Sequence, residues 1–241
     1  MKDLKKGHEL LTAKLYDALS ASKAKGRPVL TSFLSVPEQQ LAETLLSNKT
    51  ELSFYGGYEG ADRRQAIVGG DEASSDIVCL SSPLHDELSH PKVLGALMHL
   101  GIERDQIGDI RIEDGTLYIF CRKSLAGFIC SELVRAGRAA LHLHEEEKPA
   151  LSASQVETVE VVCSSVRLDA VVAALAHVSR SAASEKLRTG EVKVNDVVVA
   201  SNGNLCENDF VSVRRAGRFR FRGVKSGTKK GRLVLTFEKS I

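Results

Sequence analysis

The chain has 241 residues, with 33 Lys and Arg against 31 Asp and Glu, a formal charge of +2, and 43% hydrophobic residues, ordinary proportions for a soluble globular protein of two or three small domains. No run approaches the roughly 18 apolar residues that would span a bilayer. The start, MKDLKKGHELLTAKLYDAL, carries acids inside its apolar pattern and does not read as a signal peptide. Five cysteines (Cys79, Cys121, Cys130, Cys163, Cys206) are scattered without a CxxC pair, which excludes a recognisable disulfide framework or zinc ribbon and suits a reducing cytoplasm. The expectation is a cytoplasmic protein with no membrane partner.

The near-neutral total conceals an asymmetry. Residues 1–150 hold 18 basic and 22 acidic residues, net −4, and residues 151–241 hold 15 and 9, net +6. Nine basic residues and no acid fall between Arg214 and Arg232. A basic half points to a polyanion partner, and an acidic half leaves room for a protein partner.

Residues 1–50 are expected to be a helical segment. Leu4, His8, Leu11, Leu15 and Leu19 recur at helical spacing, as do Leu41, Leu45 and Leu46 after a turn at Val36-Pro37, with Gly26-Arg27-Pro28 between the two runs. Residues 51–150 read as an α+β domain. Strands are expected at ELSFY, QAIVGG, DIVCLSSP and AALHLHE, and helices at HPKVLGALMHLG and SLAGFICSELVRAG. A hairpin turns on Asp114-Gly115. Two helices backing a mostly antiparallel sheet suggest a ferredoxin or RNA-recognition-motif layout. The stretch LHEEEKPALSAS reads as an interdomain linker.

Residues 151–241 form the third expected domain. Leu168, Val171, Val172 and Leu175 mark one helix, with Asp169 expected to cap it, and Ser179 and Gly190 bound a second. VKVNDVVV alternates around Asn195-Asp196, a hairpin signal in which Asp196 must tolerate positive φ.

The Arg-Leu-Asp start at Arg167, the Ser179-Arg180 helix start, the Gly-x-Val-x-Val-Asn strand and the later Asp209-x-Val-x-Val-Arg run resemble the RNA-binding domain named after small-subunit ribosomal protein S-four. Asp196 departs from the glycine usual in that family. With YGGYEGADRR at 55–64 and HLGIERDQIGDIRIEDG at 99–115, essentially the whole chain resembles the YlmH family of bacterial proteins. That resemblance implies a helical N-terminal segment, a middle domain like the RNA-recognition motif and a C-terminal S-four-type domain. It also implies binding of rRNA and tRNA on the large ribosomal subunit in rescue of stalled subunits, with no cofactor. An association with cell division is the alternative it carries.

Candidate RNA-binding residues follow. Arg167 and Arg180 stand where helices begin, so a phosphate there would meet unpaired N–H groups and a guanidinium fork. Ser184, Lys186 and Arg188 extend from Arg180, and Lys193 lies on the next strand. Arg214, Arg215, Arg218, Arg220 and Arg222 follow, the last three on one strand face opposite Phe219 and Phe221, which read as core, with stacking on bases as the alternative. A second candidate contact is Tyr55, Tyr58, Arg63 and Arg64 around Gly56-Gly57, where glycines permit close backbone approach. The plainer readings are an ion pair between Arg167 and Asp169, simple exposure of Arg188, and a turn with a packed tyrosine at Tyr55 or Tyr58. Tyr118 and Phe120 are expected to pack inward. Catalysis has little support. His142 and His144 precede three glutamates but lack further ligands at metal-binding spacing. The Arg-Leu-Asp tripeptide also occurs in RNA pseudouridine synthases, but here it opens an amphipathic helix and the middle segment is too short for their catalytic domain.

Overall fold

The computed structural model describes residues 7–152, 156–228 and 231–240. Leu4, the linker residues Ala153 and Ser154, and Lys229 and Lys230 of the basic run lie outside the described residues. The chain divides into two compact units, Met1–Ala153 and Ser154–Ile241.

The first unit opens with α1 (Glu9–Lys25), β1 (Val29–Leu34), α2 (Val36–Leu46), β2 (Leu52–Tyr55) and β3 (Arg64–Val68). The N-terminal segment is therefore not purely helical. Strand β1 pairs with β3 in a sheet ordered β1-β3-β2, so the sheet crosses residue 50. β1 hides from periodicity because its register shifts between Leu30 and Phe33, at the polar pair Thr31-Ser32, where Thr31 Oγ1 accepts from the Ala66 N–H at 2.9 Å. Gly26, left-handed at φ 59, ends α1 by donating to the Ser22 carbonyl. Val36-Pro37 is the first turn of α2 rather than a separate turn, and Ser35 and Glu38 close a capping box over it. Leu15, Leu19, Leu41 and Leu46 pack on Ala66 and Val68 in one core.

The rest of the unit runs β4 (Ile77–Pro83), α3 (His90–His99), β5 (Ile107–Glu113), β6 (Thr116–Arg122), α4 (Lys123–Glu132), a two-residue ribbon of β7 (Arg135–Ala136) and β8 (Ala139–Ala140), and β9 (His144–Glu146). The sheet is antiparallel with order β5-β6-β4-β9. A β-α-β-β-α-β chain in that order is the split β-α-β arrangement. Asp114 (φ 47) and Gly115 (φ 72) make the expected hairpin turn. AALHLHE is broken into β8 and β9, and β9 occupies the start of the segment expected to be linker. One sheet face carries Leu80, Leu117, Ile119 and Cys121 against the helices. The other carries Cys79, Tyr118 and Phe120, which pack with Tyr58, Ile77 and Leu151.

The second unit contains β10 (Val156–Cys163), α5 (Leu168–Leu175), α6 (Arg180–Arg188), β11 (Val192–Val194), β12 (Val197–Val198), β13 (Phe210–Val213), β14 (Gly217–Gly227) and β15 (Leu233–Ser240). Its sheet is ordered β10-β15-β14-β13-β11-β12. Leu168, Val171, Val172, Leu175, Ala183 and Leu187 of the helices pack on an inner face of Val192, Val194, Val211, Val213, Phe219, Phe221, Leu235 and Phe237. Asn195 (φ 51) and Asp196 (φ 65) form the β11–β12 turn. Asn195 also fixes the start of β13, donating to Asp209 Oδ1 at 2.8 Å and accepting from the Phe210 N–H at 2.9 Å.

Candidate nucleic-acid interface

The helix pair places two arginines around one carboxylate. Arg167 is the residue before α5 and Arg180 is the first residue of α6. Asp169 does not cap α5. Its side chain is turned inward, 7% exposed, and accepts from Arg180 Nε at 2.7 Å and Arg167 Nε at 3.3 Å. Asn202 supplies a cap instead, its Oδ1 accepting from the Asp169 N–H at 3.2 Å, and the Leu168 N–H donates to the Gly203 carbonyl. The Arg180 hydrogen bond, with help from Asn202 and Arg167, holds the Asp169 carboxyl far below the usual carboxylate range despite its burial. Both arginines stay about half exposed, at 53% and 51%. Their bonds to Asp169 use Nε, and among the described residues the outer Nη groups have no protein acceptor. Two guanidinium forks are thus fixed beside helix N-termini with donors directed away from their anchor, an arrangement suited to phosphate.

The remaining candidates of this unit divide into groups. Ser184 is exposed one turn after Arg180. Arg188 is exposed but bonded to Glu185 at 2.6 Å, and Lys186 is bonded to Glu191 at 2.7 Å. Arg214 and Arg215 are exposed at the β13–β14 turn and, after Lys186, help lower the Glu191 carboxyl. Lys193, Arg218 and Arg220 occupy strand positions alternating with the buried valines and phenylalanines, so they lie on the sheet face away from the helices. Arg218 pairs with Asp196 at 3.0 Å and Arg222 with Glu238 at 2.7 Å. Phe219 and Phe221 are core, 4% and 3% exposed. The aromatic on the outer face is Phe210, with Arg218 and Arg220 4.8 and 5.4 Å from its ring centroid. Its signal was available: in FVSVR the phenylalanine is in phase with Ser212, not with the two valines.

The second candidate cluster is built into the first unit. Tyr58 stacks on Phe120 at 4.7 Å and donates to Asp109 Oδ2 at 2.8 Å. Burial, reinforced by Asp109, pushes its hydroxyl pKa up. Asp109 also accepts from the Asp62 and Arg63 N–H groups. It follows Gly108 at a register shift in β5, the kind of irregularity that re-aims a side chain. Arg63 donates to the carbonyls of Phe33 at 2.8 Å and Ile107 at 3.3 Å, and Arg64 to that of Ala61 at 2.7 Å. The close approach permitted by the glycines is to the chain itself. A Cβ on Gly56 would stand 2.4 Å from that of Ala61, and one on Gly57 would stand 2.4 Å from the Phe120 ring. Tyr55 and Arg64 line an open groove of about 390 Å³ with Phe54, Glu59 and Glu72. Tyr118 and Phe120, 8% and 0% exposed, present no stacking platform.

Among the described residues no cluster of three or more His, Cys, Asp or Glu is placed to hold a metal, and no helix is long and apolar enough to cross a membrane. His144 Nε2 instead lies 3.2 Å from Ser81 Oγ.

Residues 83–149 match the family model described as "Putative RNA-binding domain in YlmH". The ribosome-associated protein quality control protein P2 of Bacillus subtilis (strain 168) is 31% identical over 226 residues, covering 88% of each chain. The chain belongs to the YlmH family. The segment that matches the YlmH model begins at the last residue of β4 and ends just beyond β9, so it takes in the other three strands and both helices of the split β-α-β sheet. A solved structure, cell division protein ylmH from Streptococcus pneumoniae, matches with a TM-score of 0.51 at 19% identity over 57% of this chain and 90% of that one, a likeness of fold.

Proposed function

We propose that this YlmH-family chain is a cytoplasmic RNA-binding protein of the ribosome that contacts rRNA and tRNA on the large subunit during rescue of stalled subunits. The observation that carries the reading is the Arg167–Asp169–Arg180 group, which holds two half-exposed guanidinium forks beside two helix N-termini. The net charge of +6 on residues 151–241 and the name of the Bacillus subtilis relative support it. In this reading the second unit is an S-four-type domain, and the β4–β9 sheet with its helices is the counterpart of the RNA-recognition motif. RNA is met through phosphates and shape, because an A-form groove gives side chains little sequence to read. Arg167, Arg180 and Ser184 form the primary contact, with Arg188, Lys186, Arg214 and Arg215 beside it. Tyr55 and Arg64, at the rim of their groove, remain the candidates for a second contact.

The test is co-sedimentation of the tagged chain with large ribosomal subunits, with and without ribonuclease, for wild type and the Arg167→Gln/Arg180→Gln double variant. The expected result is ribonuclease-sensitive association lost in the double variant. Association that survives both treatments would instead favour a protein partner, as a division role would require.

A further inference from the structure

We propose that the outer face of the C-terminal sheet takes up unpaired nucleotides, with a base stacked on Phe210 and its flanking phosphates held by Arg218 and Arg220. The inference rests on the RNA-binding reading and extends it to a second surface on the side of the sheet opposite α5 and α6. Phe210 is half-buried and takes no part in the apolar core, although it opens a strand whose two valines do. The inner face is already filled by Phe219, Phe221 and Phe237, and the Phe210 ring lies on the water side with the guanidinium groups of Arg218 and Arg220 over it. Its neighbours are cationic. Arg220 is its cross-strand partner, Arg218 approaches the ring more closely, and Lys193 lies across from Ser212 on the next strand.

The charges on this face do not cancel. Lys193, Arg218, Arg220 and Arg222 are met by two carboxylates, Asp196 on Arg218 and Glu238 on Arg222. Arg220 makes no ion pair or hydrogen bond among the described residues, and its Nε is buried without an acceptor. A phosphate oxygen at its Nη groups would give this guanidinium an acceptor. The combination selects unpaired RNA in particular. A base in a duplex is already stacked on its neighbours, whereas an extended strand can lay a base on an aromatic ring and its phosphates on the flanking arginines.

The experiment measures binding of the full chain, by fluorescence anisotropy, to a uridine octamer and to a blunt RNA duplex. Phe210→Leu is expected to weaken octamer binding about tenfold, the loss of one stacked base, and to leave duplex binding unchanged. Arg220→Gln, which keeps the ring in place, should also weaken the octamer selectively and carries the test should Phe210→Leu melt early. Arg167→Gln should do the reverse. Folded Phe210→Leu and Arg220→Gln proteins that bind the octamer as wild type does would overturn the proposal. So would a wild-type chain that binds duplex and ignores the octamer, an outcome that leaves the RNA-binding reading intact. A chain that binds neither RNA and does not sediment with ribosomes would end both.

Discussion

The carboxylate of Asp169, buried at the start of α5, holds the guanidinium of Arg180 on α6 at 2.7 Å. One residue thus orients a solvent-facing cation on a different helix, and a second bond from Arg167 brings another cation to the same anchor. Arg180→Gln removes a charged donor and leaves Asp169 its bonds to Arg167 and Asn202. RNA affinity should fall about tenfold or more with a small change in melting temperature. Arg180→Glu adds to this by setting a second carboxylate against a buried one, so it should lower the melting temperature as well. Isothermal RNA binding paired with thermal melts of the two variants separates the effects. Equal melting of Gln and Glu variants would show that Asp169 does not sense residue 180.

The same anchor should leave an acid signature. The Asp169 pKa is depressed in the folded chain, chiefly by the Arg180 hydrogen bond. Its contribution is therefore complete above the unfolded carboxylate value of about 4 and is lost as the pH falls below it toward the folded value. Asp169→Asn should be less stable than wild type at neutral pH, and the gap should narrow as the pH drops through about 4 toward 2. Denaturant melts of both proteins across that range give the comparison. A gap that stays constant would mean the carboxylate is not the stabilising species.

Arg63 is expected to behave as a structural residue. Its guanidinium spans the carbonyls of Phe33 on β1 and Ile107 on β5, linking the two sheets of the first unit. Arg63→Ala should cost about 2 kcal/mol or more, the scale of charged hydrogen bonds left unmade. RNA affinity should be retained in the protein that remains folded. Gly57→Ala should be comparably harmful, since Gly57 has φ +98 and an added Cβ would strike the Phe120 ring. Chemical denaturation followed in the first unit is the measurement, and wild-type stability for Arg63→Ala would remove the arginine from the architecture.

What the sequence discloses and what it conceals follow from range. The helices α5 and α6, the Asn195-Asp196 turn and the Asp114-Gly115 hairpin are written in local periodicity and turn chemistry, and they appear where those signals lie. Asp169 looked like a cap because a cap is a local role. Its actual role depends on the approach of Arg180, eleven residues later. The Tyr58–Asp109 bond joins residues 51 apart and gives no local sign. Strand β1 is hidden by its own register shift, and the outward position of Phe210 is marked only by its phase with Ser212 rather than with Val211 and Val213.

Binding should depend on salt less steeply than the count of basic residues suggests. Ten cations of the second unit are candidates, apart from Ser184. Four carry carboxylate partners of their own: Lys186 with Glu191, Arg188 with Glu185, Arg218 with Asp196 and Arg222 with Glu238. A cation that must leave a carboxylate to meet a phosphate gains less from the exchange. Arg167 and Arg180 share one buried carboxylate between them, and Lys193, Arg214, Arg215 and Arg220 have no ion pair among the described residues. Six engaged phosphates at roughly 0.7–0.9 each would give a log–log slope of about 4–5 in magnitude. Titrations of a ribosomal RNA fragment at several salt concentrations measure it. A slope near zero would remove phosphate contacts from the mechanism, and one of about 8 or more would mean that the paired arginines also exchange their partners for RNA.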